Sequence, residues 1–379
     1  MRRWLSSMAV LAGLLALAAC AGEEKATPAP SPTGAQVKPA WEQEWERVLA
    51  AAKREGKVIV AGPTGADQRR ALMEPFQQRY GIAVEYQGFQ GPEFPPRVET
   101  ERGAGQYLWD AFIGGTTSII TALKPIGALD PIQPALILPE VTDLKNWREG
   151  RIIFTEKDRL GIVMNPTTSE SLFTNPTLMK ADEIRSWKDL LDPKWKGKIL
   201  VGRDPRVAGP GQATFTMFYL HRDLGPDFIR ALAKQELTIL RDDTQALQWL
   251  AEGKYPILIG GSPRAAKDML RQGVPNIKIA EPKQLREGSY VSAGAGSIVL
   301  LNRAPHPNAA RVYINWLLTQ EGQTVNSKAQ DLPSWRVDVP TDHLSPTVLP
   351  QPGFVETYTE EAMAVKDPLA ALLQEILGR

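Results

Sequence analysis

Cysteine and histidine are scarce in this chain, with one and three residues among 379. A single thiol excludes an intramolecular disulfide framework, so stability has to come from ordinary burial. His221, His306 and His343 stand apart, form no closely spaced metal cluster with cysteine or acid, and no H-E-x-x-H run occurs. A G-x-S-x-G elbow and a P-loop are missing as well. Gly294-Ala295-Gly296-Ser297 is glycine-rich, but it feeds an apolar run and lacks a following Lys-Ser. These absences argue against an enzyme, a resident metal and a cofactor. Charge of one sign is lacking too: 44 basic and 43 acidic side chains leave a net +1, which offers no basic field to a nucleic acid.

What is present begins at the N-terminus. Arg2 and Arg3 precede the uncharged run Trp4 to Ala19, which closes as Leu17-Ala18-Ala19-Cys20. That run falls short of the roughly 20 residues a spanning helix needs, and its basic front, apolar middle and small-residue end are those of a secretory signal. The ending resembles the lipobox of bacterial lipoproteins. The resemblance implies removal of residues 1–19, acyl chains on Cys20, and anchorage to a membrane at the periplasm or outer cell surface. Each buried methylene contributes about 0.8 kcal/mol, so two or three chains hold a protein stably. Residues 20–40 contain Pro28, Pro30, Pro32 and Pro39 and almost no large apolar side chain. They cannot bury enough surface to fold and read as a tether with a reach of roughly 25 Å. No later apolar run is long enough to span, so the body is expected to be soluble. At 43% hydrophobic it can bury a sizeable core, in about two domains.

Helix and strand patterns alternate through that body. Trp41, Trp45, Val48, Leu49 and Ala52 follow helical spacing, and Gly56 ends that helix. Lys57 to Ala61, Ile82 to Tyr86 and Asp110 to Ile113 read as strands, with helices from about Asp67 to Arg79 and Arg97 to Gly103 between them. A second series follows Arg159–Asn165. Ser186-Trp187-Lys188-Asp189 opens with a capping-box pattern; Ile199–Gly202 and Ile257–Gly260 are strands, and helices cover Gln212–Leu224, Asp227–Lys234, Asp243–Glu252 and a start near Pro263. Gly294–Leu301 is an apolar strand and Pro307–Leu318 a helix. Such alternation means α/β units with mostly parallel sheets, which bind ligands where strand carboxyl ends meet helix starts.

Three segments resemble the solute-binding lipoproteins of bacterial ABC importers, in the large extracellular family that includes ferric-ion, phosphonate, thiamine and polyamine binders. They are Ser186 to Ile199, Ala304 to Trp316, and Leu318 to Gln323. The resemblance implies a two-lobed periplasmic-binding-protein-like (type II) fold, with a hinge and an interlobe ligand cleft. Lobe 1 is then expected at 41–160 plus 288–325, and lobe 2 at 161–287 plus 326–379. It also implies a monomer that captures a small-molecule solute by lobe closure and delivers it to an ABC permease. The same fold in a sensor would have a membrane kinase as partner.

The solute is sought among residues at the expected strand ends. Thr64 and Gly65, and Thr116, Thr117 and Ser118, lie where first-lobe helices start, and Gly211 and Gln212 and Gly261, Ser262 and Arg264 hold the same place in the second lobe. Hydroxyls and backbone N–H groups there face the cleft with the positive end of a helix dipole, unless they serve only as caps. Arg203 and Arg206 offer forked donors for carboxylate or phosphate. This set suits a small anion. Asp110, Asp204, Asp242 and Asp243, with Trp109 or Tyr290 stacking, would instead suit a cationic amine. Tyrosinate iron binding would need paired tyrosines, and Tyr255 and Tyr290 stand alone.

Overall fold

The computed structural model describes residues 38–89, 93–180, 182–207 and 209–378. The expected signal peptide, Cys20 and all but the last three tether residues lie outside the described residues.

Two sheets organise the body. In the first, Lys57–Pro63 lies between Ala83–Phe89 and Ala111–Gly114 and runs parallel to both. Ser297–Leu301 returns antiparallel beside Ala111–Gly114, and it also carries Leu129–Asp130 and Gly161–Val163. The second sheet runs Lys278–Ile279, Leu172–Thr174, Ile257–Ile259, Ile199–Val201, Thr238–Ile239. Its last three strands are parallel, as helical crossovers between them require. Leu172–Thr174 opposes Ile257–Ile259.

Three short segments join the sheets. Thr167–Thr168 pairs antiparallel with Tyr290–Ser292, which pairs parallel with Val355–Glu356. Each sheet keeps its own apolar core, so the chain is an α/β protein of two lobes. In the first lobe Phe76 meets Tyr313 and Trp316 at ring-centroid distances of 5.1 and 5.4 Å. In the second, Phe218 meets Trp187 and Phe228 at 4.8 and 5.0 Å. These are edge-to-face contacts, worth about 0.5–1.5 kcal/mol each beyond burial.

The periodic segments form as expected, including Ala40–Glu55, Ala66–Tyr80 and Pro307–Leu318. Ser186 and Asp189 make the capping box, although the turn that follows, Trp187–Leu191, is 3-10. The C-terminal segment differs from the expectation that 326–379 belongs to lobe 2. Trp335 packs in the first core, and the fully buried Arg336 donates to the carbonyls of Glu140 and Leu318. Lys366–Leu377 reaches the second core through Leu369, Leu372 and Leu373, and Val355 packs against that core as well. After Gln330 the chain has no long periodic run until this last helix, so pattern alone could not say which sheet it covers.

Candidate functional site

Parallel neighbours with connections leaving in opposite directions open a crevice at their carboxyl ends. In the first sheet that place lies between Lys57–Pro63 and Ala111–Gly114. Thr64 and Gly65 follow the first strand, are exposed, and lead into Ala66–Tyr80. Thr116, Thr117 and Ser118 follow the second. Gly115 takes the cap position without a side-chain bond, so none of the three is spent as an N-cap. Thr116 is buried and Thr117 exposed.

In the second sheet the corresponding ends belong to Ile199–Val201 and Ile257–Ile259. Here the fold brings together Arg203, Gly211, Gln212, Gly261 and Ser262 by close backbone approach. A Cβ on Gly211 would fall 2.0 Å from the Arg203 carbonyl oxygen. Gly260, at φ +63°, has only 2.9 Å between its own Cβ position and Gly211 Cα. A side chain at either position would push the start of helix Pro210–Leu220 away from the strand ends it packs on. The Arg203 side chain is partly exposed, with Nη2 3.5 Å from Asp243 Oδ2. Arg264 is exposed and makes no ion pair or hydrogen bond with the described residues.

Several expected ligands have other duties. The Arg206 fork closes on Asp204, at 2.9 Å from Nε to Oδ1 and 2.8 Å from Nη2 to Oδ2, and its Nη1 donates to the Gly378 carbonyl. The guanidinium holds Asp204 below the usual carboxylate range. Ser262 is an N-cap, accepting from the Ala265 N–H at 3.3 Å. Gln212 sits within the first turn of Pro210–Leu220, because that helix starts two residues earlier than its apolar pattern suggests. Tyr290 is 3% exposed and its hydroxyl sits among Ser169, Ser171 and Thr214 at the hinge. Burial pushes its phenol upward, so it is a packing residue there and presents no face for stacking.

The acids are equally engaged. Asp110 stands at the amino end of its strand, away from the crevice, and accepts from the Ile59 and His306 N–H groups at 2.7 Å each and pairs with His306 Nδ1 at 2.9 Å. Burial nonetheless pushes its carboxyl up. Asp242 caps Asp243–Ala251. Trp109 is a core residue against Phe89 and Phe94. Tyr255 stacks on Trp249 and shares a hydrogen bond with Thr238. Among the described residues no group of three His, Cys, Asp or Glu is placed to hold a metal.

One residue near the crevice escaped the sequence reading. Lys366 opens the last helix, and its Nζ donates to Thr117 Oγ1 at 3.0 Å. Met363 Sδ lies 3.6 Å from the same hydroxyl. The signal was available in Leu369, Leu372, Leu373 and Leu377, whose helical spacing marks an amphipathic segment.

Two α/β lobes joined by a three-stranded hinge are the architecture of the type II periplasmic-binding class. The chain belongs to the bacterial extracellular solute-binding protein family, whose sequence profile matches residues 71–348. An uncharacterized protein of Haemophilus influenzae is 23% identical over 288 residues, 75% of this chain and 79% of that one. Among solved structures, Trichodesmium FutA in complex with iron and citrate superposes with a TM-score of 0.65 at 17% identity, covering 85% of this chain and 99% of its own. AfuA from Actinobacillus pleuropneumoniae with bound fructose-6-phosphate gives 0.56 at 18%, covering 86% and 99%. These likenesses establish the fold. No helix of the described residues is long and apolar enough to cross a membrane.

Proposed function

We propose that this extracellular solute-binding protein of ABC-transporter type captures a small anionic solute between its lobes and delivers it to a permease without chemical turnover. The supporting observation is the balance of free charge at the crevice. Arg264 is uncommitted and Arg203 is held only at 3.5 Å, whereas Asp204 and Asp242 are each consumed by internal hydrogen bonds. Thr64, Gly65, Thr116, Thr117, Ser118, Gly211 and Gly261 supply the surrounding hydroxyls and backbone N–H groups. A ligand that touches both lobes favours the closed arrangement by its differential contacts, which is the signal a permease reads. Acylation at Cys20, with residues 20–40 as tether, would keep the monomer beside that permease at the periplasmic or outer surface. FutA was solved with iron and citrate and AfuA with a sugar phosphate, so both an organic acid and a phosphate ester belong in the search.

A thermal-shift screen tests the reading, using inorganic phosphate, fructose 6-phosphate, phosphonates, citrate, ferric citrate, polyamines and thiamine. A true ligand at a hundred times its Kd stabilises by about 2.7 kcal/mol. Stabilisation by an anion is expected. Stabilisation by amines alone, or by ferric ion free of organic anion, would overturn it, and turnover of any compound would sink the non-enzyme claim.

A further inference from the structure

The last helix, Lys366–Leu377, belongs to the second lobe by packing, since Leu369, Leu372 and Leu373 lie in that core. Arg230 and Glu375 pair across the same contact. Its first residue nevertheless touches the first lobe, through the hydrogen bond from Lys366 Nζ to Thr117 Oγ1. Thr117 follows the carboxyl end of Ala111–Gly114, which places this ammonium at the crevice between the sheets.

Three features make the position electrostatically unfavourable when nothing is bound. Lys366 is half-buried, and burial pushes its ammonium below the usual lysine range. Among the described residues no carboxylate lies within ion-pair distance of it. The neighbouring Asp367 is exposed and pairs elsewhere with nothing described, and Glu360 is drawn to Lys124 at 2.9 Å. Finally, Lys366 occupies the first turn of its helix, where the macrodipole repels a cation. A structural lysine would be expected to turn to solvent or to an acid. This one is held against a neutral hydroxyl.

We propose that Lys366 is a solute-binding residue, whose ammonium takes a carboxylate or phosphate group of the solute against Thr117 and so ties the second lobe to the first. The assignment rests on the anionic-solute reading. It adds a charge carried by the second lobe but delivered at the first lobe's strand end, so an anion seated there is gripped by both.

The test uses the whole protein with its lysines reductively 13C-dimethylated, which keeps their charge. The Lys366 resonance is assigned from its absence in K366R. Inorganic phosphate, fructose 6-phosphate and citrate are titrated separately to tell phosphate from carboxylate, with spermidine as the cationic control. At least one anion is expected to move the Lys366 resonance. That anion should bind K366Q at least tenfold more weakly than wild type, and K366R within about fivefold, with unchanged circular dichroism. An anion that binds K366Q as well as wild type and leaves the resonance still overturns the assignment, while the anionic reading stands. A resonance unmoved by every anion, with spermidine alone raising the melting temperature, overturns both.

Discussion

Arg203 Nη2 stands 3.5 Å from Asp243 Oδ2, within electrostatic reach but beyond a normal hydrogen bond. Burial pushes the Asp243 carboxyl up, against the pull of Arg203, and its Oδ1 has no hydrogen-bond partner among the described residues. The acid therefore masks the arginine at a cost to itself. Under the proposed function, an anion at the crevice would compete with it.

Asp243→Asn is expected to raise anion affinity about threefold to tenfold at neutral pH, the effect of roughly 1 kcal/mol of relieved competition. In the wild type, protonation of Asp243 as pH falls through its raised value does the same. Affinity should therefore rise on acidification toward the upper edge of the carboxylate range. The stability sign follows from linkage: the folded state holds this proton more tightly than the unfolded chain, so the Asp243 contribution falls as pH rises through the window between the two values. Calorimetric titration of wild type and D243N from pH 5 to 8 checks it. Parallel slopes would refute the masking.

Gly211→Ala should act on the same arginine through the backbone. The added Cβ would lie 2.0 Å from the Arg203 carbonyl oxygen, and neither atom belongs to a flexible side chain. A loss of about 1–3 kcal/mol is expected in urea unfolding, together with weaker anion binding. Unchanged stability would mean that the strand end after Ile199–Val201 is free to move.

The two-lobed α/β fold was legible because it rests on local signals. Apolar runs such as Lys57 to Ala61 and Ile257 to Gly260 mark strands, and the residues after them must lie at strand ends. What each polar side chain does there was not legible. Arg203 and Arg206 are three residues apart in one loop, yet the Arg206 fork closes on Asp204 and Arg203 faces Asp243, some forty residues on. Tyr290 looked like a stacking surface because the hydroxyls that surround its own, on Ser169, Ser171 and Thr214, come from distant segments. The spacing of Leu369, Leu372, Leu373 and Leu377 marks the last helix, but the place of Lys366 was not legible, since nothing near it in sequence announces Thr117.

Tyr290→Phe is expected to cost about 1–3 kcal/mol, because it strips the hinge hydroxyls of a buried partner. Its phenol, raised by burial, should not ionise in the ordinary tyrosine range, so ferric citrate should produce no tyrosinate charge-transfer band in the visible spectrum. A band lost in Y290F would show that the hinge opens to place this oxygen on the metal.

Lys124 gathers three carboxylates from two segments: Asp158 at 2.8 Å and Glu156 at 3.2 Å from one, the latter with a fully buried side chain, and Glu360 at 2.9 Å from the other. These contacts raise the lysine's proton affinity and hold Asp158 and Glu360 below the usual carboxylate range. The lysine's contribution is complete below its unfolded value and lost as pH rises through the folded one. The two acids contribute above their unfolded values and lose that contribution as pH falls through the folded ones. The cluster therefore stabilises across the span from about pH 5 to about pH 10. Lys124→Met should cost roughly 1–3 kcal/mol at pH 7, because Glu156 loses its charged partner while keeping the Asp158 and Leu160 N–H groups at 2.7 and 2.6 Å, and should flatten both limbs of the stability profile. Because Glu360 lies on the segment that delivers Lys366, K124M should also weaken anion binding without touching the anion. Urea melts across pH, paired with titrations at pH 7, separate the two effects. Full affinity in a destabilised K124M would show that the C-terminal segment holds its place without this lysine.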